Sequence, residues 1–135
     1  MTAGNGYRPL DPENEIVPVD DIRASYQALM SRLHEVPDGA DILATCLGLA
    51  HMLFAKNTQY GNSALAPVRV FSNTESEAGQ PGSRASIAAR MDDKLSRIKN
   101  TVAGSEANEA ARGDLCGYLI LDRIAYWREH AQGEI

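Results

Sequence analysis

Lys56, Asn57, Tyr60, Gly61 and Asn62 follow one another within seven residues at the end of a long apolar stretch. Between them they offer an ammonium, two side-chain amides, a phenol and an unobstructed backbone. Amides can read donor and acceptor edges of a base, and a phenol can stack on its face. Arg69 follows in the run Pro67-Val68-Arg69-Val70-Phe71-Ser72. Further on, Arg90, Asp93, Lys94 and Arg97 stand at i, i+3, i+4 and i+7, the spacing that puts side chains on one helix side. Arginine can grip a phosphate with two parallel hydrogen bonds, whereas lysine acts as a point charge. The set suits a small anion carrying a flat ring, such as a nucleotide. It does not by itself suggest bond-breaking chemistry.

Asp114, Tyr118 and Asp122 stand at i, i+4 and i+8 in a later apolar stretch, where each carboxylate needs a partner. Arg97 is the expected partner of Asp114, and Arg123 is expected to pair elsewhere. A metal is the alternative role for such carboxylates. Mg²⁺ takes oxygen ligands and is commonly held by one or two carboxylates together with substrate phosphates. Asp92, Asp93, Glu109 and Asp114 are the candidates, with Asp93 and Asp114 foremost. No cofactor is otherwise called for. The chain has no GxSxG, HExxH, P-loop or GxGxxG pattern, and His34, His51 and His130 are not spaced with a nucleophile.

Composition narrows the partners. The chain has 135 residues, 44% hydrophobic and 23% charged, which fits one folded domain. A net charge of −5 argues against coating polymeric nucleic acid, which needs a broad basic surface. The basic residues gather in the middle: residues 56–99 hold seven basic and four acidic side chains, while both flanks are acidic. That pattern fits one local anion site. Cys46 and Cys116 lie in apolar stretches without metal or redox spacing, so both are expected as small buried hydrophobes. No signal sequence and no apolar run of about 18 residues is evident, so a cytoplasmic protein without a membrane partner is expected.

The elements that must position these groups are helices. Residues 1–17 have the composition of a flexible arm, leaving 18–135 as a single helical domain. Apolar spacing predicts a first helix from Val19 to Val36, with Asp20 as N-cap, broken by Pro37-Asp38-Gly39. A second is predicted from Ala40 to Gln59, apolar on most sides and therefore central, with His51 as a core residue. An irregular insert follows it. The third helix, Arg84 to Val102, carries the stripe Ile87, Met91, Leu95, Ile98 and Val102. Ser105 caps a fourth, which runs to Gln132. The expected fold is all-α, a bundle of about four helices with an irregular loop after the second. Two helices apolar on most sides also predict a homo-oligomer.

Three ordered motifs carry a resemblance. The runs KN-x-x-YGNS-x-x-x-PVR-x-FS, RMDDKLSRIKN and DLCGYLILDRI, over roughly residues 50–126, resemble small phage and prophage proteins of the nucleotide-modification-associated family, with its K-N-x-D-Y-G core. The resemblance implies a nucleotide-related role during infection, in the host cytoplasm. It carries to Lys56, Asn57, Tyr60, Gly61, Asn62, Arg90, Asp93, Lys94, Arg97, Asp114 and Tyr118. The layout is also similar to MazG-like helical nucleotide pyrophosphohydrolases, which bind Mg²⁺ between helices through paired acidic motifs. Here the second helix has Asp41 as its only carboxylate, so the first acidic pair is missing. Hydrolysis by several convergent carboxylates therefore loses its basis. The leading expectation is a phage-type protein that binds a nucleotide or cyclic nucleotide, removing a host signalling nucleotide from a defence. The alternative is an Mg²⁺-dependent pyrophosphohydrolase serving DNA-base modification.

Overall fold

The computed structural model describes residues 15–59 and 81–133. These form an all-α helical bundle of four helices: α1 (Ile22–Met30), α2 (Gly39–Gln59), α3 (Pro81–Asn100) and α4 (Glu106–Gly133). There is no strand among the described residues. The insert after α2, including Tyr60, Gly61, Asn62 and Arg69, lies outside them, as do residues 1–14.

α3 and α4 are the framework. The short connection at 101–105 folds them back antiparallel, and they pack along their length. Ser105 caps α4 as expected, its hydroxyl accepting from the Asn108 N–H at 3.3 Å. Asn108 is only 1% exposed and cross-links the turn. Its amide donates to the carbonyls of Ile98 (3.0 Å) and Thr101 (3.4 Å) and to the Thr101 hydroxyl (3.2 Å). The amide oxygen accepts from Arg112 Nε at 2.7 Å. Ile87, fully buried, and Ala125 form the centre of the α3–α4 seam, with Met91, Tyr118 and Leu121 packed around them.

The inward stripe of α3 differs from the expected one. Leu95 and Val102 face out, at 52% and 77% exposed. Ile87, Met91, Lys94 and Ile98 stand at i, i+4, i+7 and i+11, and all four are buried or half-buried. A lysine thus takes an inward position that apolar pattern alone assigned to leucine. α3 also begins at Pro81, three residues before the expected start, where the missing N–H of proline leaves no helical bond unmade.

Two ionic contacts hold the far end of the seam. Arg84 grips Asp122 with two hydrogen bonds, at 2.9 and 3.0 Å. Arg123 reaches Glu15 at 3.3 Å, and Trp127 Nε1 donates to the Ile16 carbonyl at 2.9 Å. Glu15 and Ile16, within the expected arm, are therefore held against α4.

α1 is capped by Asp21 rather than Asp20, the Asp21 carboxylate accepting from the Ala24 N–H at 2.9 Å. It ends at Met30, six residues before the expected end at Val36. The chain tightens into three-residue turns, with the Arg32 N–H bonded to the Leu29 carbonyl and the Glu35 N–H to that of Arg32. Pro37 disfavours helix at the residue before it. Gly39 is required at the start of α2: a Cβ there would stand 2.8 Å from the Leu33 carbonyl oxygen.

α2 overturns three expectations. It is not central: no residue of it is buried, and only part of it rests on α4. His51 and Cys46 are exposed, as is Cys116 on α4, because these helices cover each other on one side only. α2 has 21 residues, and an 18-residue window of it has a mean hydropathy of 1.2, so it is also long and apolar enough to cross a membrane by length and composition. The sequence reading found no such segment.

Candidate functional site

Where α2 rests on the α3–α4 hairpin, a cavity of about 330 Å³ opens among the three helices. Lys56 and Asn57 reach it from α2, Arg90 and Lys94 from α3, and Asp114 and Tyr118 from α4. Met52, Leu53, Gly117 and Leu121 form the apolar floor. Gly117 lets α2 approach α4 closely. A Cβ there would meet Leu53 Cδ2 at 3.1 Å and Met52 Cε at 3.2 Å.

The charge arrangement is specific. Lys56 Nζ donates to Asp114 Oδ1, and Lys94 Nζ stands 3.1 Å from Asp114 Oδ2. Each carboxylate oxygen therefore has its own ammonium group. Burial pushes the Asp114 carboxyl up, but its hydrogen bonds and charge contacts with the two lysines outweigh this and hold it below the ordinary value. Arg90 is not paired within this group of charges. Its guanidinium lies 6.0 Å from the centre of the Tyr118 ring, within reach of a cation–π contact.

Five of the eleven expected binding residues, Lys56, Asn57, Arg90, Lys94 and Tyr118, thus line one cavity. Asp114 joins them as the carboxylate that balances the lysines. Asp93 and Arg97 do not line the cavity: both are exposed on the outer side of α3. The expected Arg97–Asp114 pair is absent from the cavity because the antiparallel turn brings Lys94, not Arg97, level with Asp114. Tyr60, Gly61, Asn62 and Arg69 lie outside the described residues. The floor residues went unrecognised in the sequence. Their one signal was a glycine, Gly117, inside an otherwise apolar helix.

Mg²⁺ does not fit this residue set. Both Asp114 oxygens are taken by ammonium groups, and Asp93 is on the outer side. Among the described residues no three of His, Cys, Asp or Glu gather as metal ligands. Glu109 pairs with Arg112 at 3.8 Å instead.

Comparison with family models, with curated proteins and with solved structures gives no match for this chain. The site is therefore interpreted from its own chemistry.

Proposed function

We propose that the protein binds a nucleotide or a nucleotide-derived anion, linear or cyclic, and holds it intact. One observation carries the reading. Lys56, Arg90 and Lys94 converge on a cavity in which Asp114 is the only carboxylate among the described residues, beside a phenol and an apolar floor. Three cations against one carboxylate leave an excess of positive charge for an anion. Tyr118 and the floor suit a ring. The volume falls at the small end of ligand pockets, roughly 300–1,000 Å³.

The same chemistry disfavours turnover. A general base works best with a pKa near the operating pH, and Asp114 is held below the ordinary carboxylate range. Among the described residues there is also no set of convergent carboxylates for two-metal hydrolysis. A binder without turnover acts by lowering the free ligand, as a phage-type protein in host cytoplasm would against a signalling nucleotide.

A thermal-shift and calorimetric panel of mono-, di- and cyclic nucleotides, with and without Mg²⁺, tests this. Expected is a stabilising ligand recovered intact by mass analysis. Mg²⁺-dependent conversion to a monophosphate would establish the pyrophosphohydrolase instead. Absence of any stabilising nucleotide would reject the reading.

Self-association is proposed as well. Leu43, Leu47, Ala50 and Phe54 follow one another at four-, three- and four-residue steps on α2, the spacing of a helix-pairing seam. Phe54 is 76% exposed, and Ile22 of α1 is 77% exposed. A second copy of the same helix satisfies such a seam. Light scattering coupled to gel filtration is expected to show a multiple of 14.6 kDa. A monomer that partitions onto lipid vesicles would assign the face to a membrane.

A further inference from the structure

The Asp114 carboxylate does more than neutralise lysines. It presents two oxygens in one plane, and each receives a different ammonium group, from Lys56 on α2 and Lys94 on α3. Two oxygens on one atom facing two cations is also how a phosphate would sit there. Resting on the binding reading above, we infer that Asp114 is an internal stand-in for the ligand's phosphate, and that its competition selects a phosphate monoester dianion.

The charge balance gives the reason. With Lys56, Lys94 and Arg90 against Asp114, the described lining of the cavity carries two positive charges in excess. A monoanion entering the lysine pair replaces one singly charged group by another and gains little. A phosphate monoester carries about −1.5 to −2 near pH 7, so it outcompetes the carboxylate and also satisfies Arg90. A neutral nucleoside retains only the contacts with Tyr118 and the apolar floor. Asp114 lies on α4 and Lys56 on α2, so the stand-in also keeps the two helices together before ligand arrives.

Binding of AMP, 3′,5′-cyclic AMP and adenosine is measured by calorimetry at pH 7.5 on wild type, Asp114→Asn and Lys94→Ala. Wild type is expected to prefer AMP over cyclic AMP and adenosine. Asp114→Asn is expected to bind AMP roughly tenfold tighter, because an anion close to the ligand's own is gone. The preference for AMP over cyclic AMP narrows, because the competitor that set it is removed. Lys94→Ala is expected to lose AMP binding. If Asp114→Asn binds AMP no better while Lys94→Ala loses it, the cavity reading stands and the stand-in is overturned. If Lys94→Ala binds AMP as wild type does, both fall; if neither wild type nor Asp114→Asn binds AMP, the stand-in is overturned and the binding reading is decided by the nucleotide panel above.

Wild type supplies an independent readout should Asp114→Asn fold poorly. The Asp114 carboxyl, followed by carbon NMR, is expected to titrate at higher pH with AMP bound, since its lysines then face phosphate. An unchanged or lower midpoint overturns the stand-in.

Discussion

The Lys56 ammonium donates to the Asp114 carboxylate across 58 residues of chain, joining α2 to α4. α2 has no buried residue, so among the described residues this contact and the close approach at Gly117 help to seat it on the framework. The proposed binding residue Lys56 is thus also a structural tie.

The first prediction concerns pH. Asp114 titrates below its ordinary value of 3.8 in the folded protein. Its contribution is therefore complete above that value and is lost as pH falls through the lower folded one. Asp114→Asn is expected to destabilise by about 0.5–1 kcal/mol at pH 7, a modest cost because the pair is partly exposed. The difference from wild type should shrink towards zero below pH 3.8. Urea unfolding of both proteins at pH 7 and in acid checks this, and a constant difference would contradict it.

A second prediction separates the two sides of α3. Arg90→Ala and Lys94→Ala are each expected to weaken nucleotide binding tenfold or more, the loss of about one charge-assisted hydrogen bond. Arg97→Ala and Asp93→Ala, on the exposed side, should leave affinity within about twofold. Calorimetry with whichever nucleotide stabilises the wild type decides. Equal losses on both sides would place the ligand elsewhere.

Stability of the far end depends on Arg84 and Asp122. Their doubly hydrogen-bonded contact ties the start of α3 to α4. Asp122→Ala is expected to cost about 1–2 kcal/mol, since it also leaves the Arg84 and Arg123 guanidiniums without that partner. Ligand affinity should not change, because neither residue lines the cavity. Thermal unfolding read beside a binding isotherm distinguishes the two effects.

Asn108→Leu tests the turn between α3 and α4. The buried amide serves two carbonyls, a hydroxyl and Arg112. Replacing it by an apolar group strands those partners, at a cost of about 1–3 kcal/mol. Hydrogen exchange at the end of α3 should accelerate. Unchanged exchange and stability would show that the turn holds without it.

Much of the fold was legible because helix signals are local. The Pro37-Asp38-Gly39 break, the Ser105 cap and the long apolar runs of α2 and α4 each depend on a few neighbouring residues. Errors arose where a signal was shared or tertiary. Asp20 and Asp21 both suit an N-cap, and only backbone geometry selects Asp21. Leu95 beside Lys94 is the apolar choice by pattern, but the α3–α4 seam turns Lys94 inward.

The sequence by itself determined the helical class, the four elements and the cluster of cations that an anion would need. Composition and spacing act within a few residues, so they can be seen along one chain. Tertiary structure decided which cations meet. The antiparallel register of α3 on α4 brought Lys94 and Arg90 to Asp114 and Tyr118, and turned Arg97 and Asp93 away. A turn of about 100° per residue separates those outcomes, and nothing local to α3 fixes which face a neighbouring helix will cover.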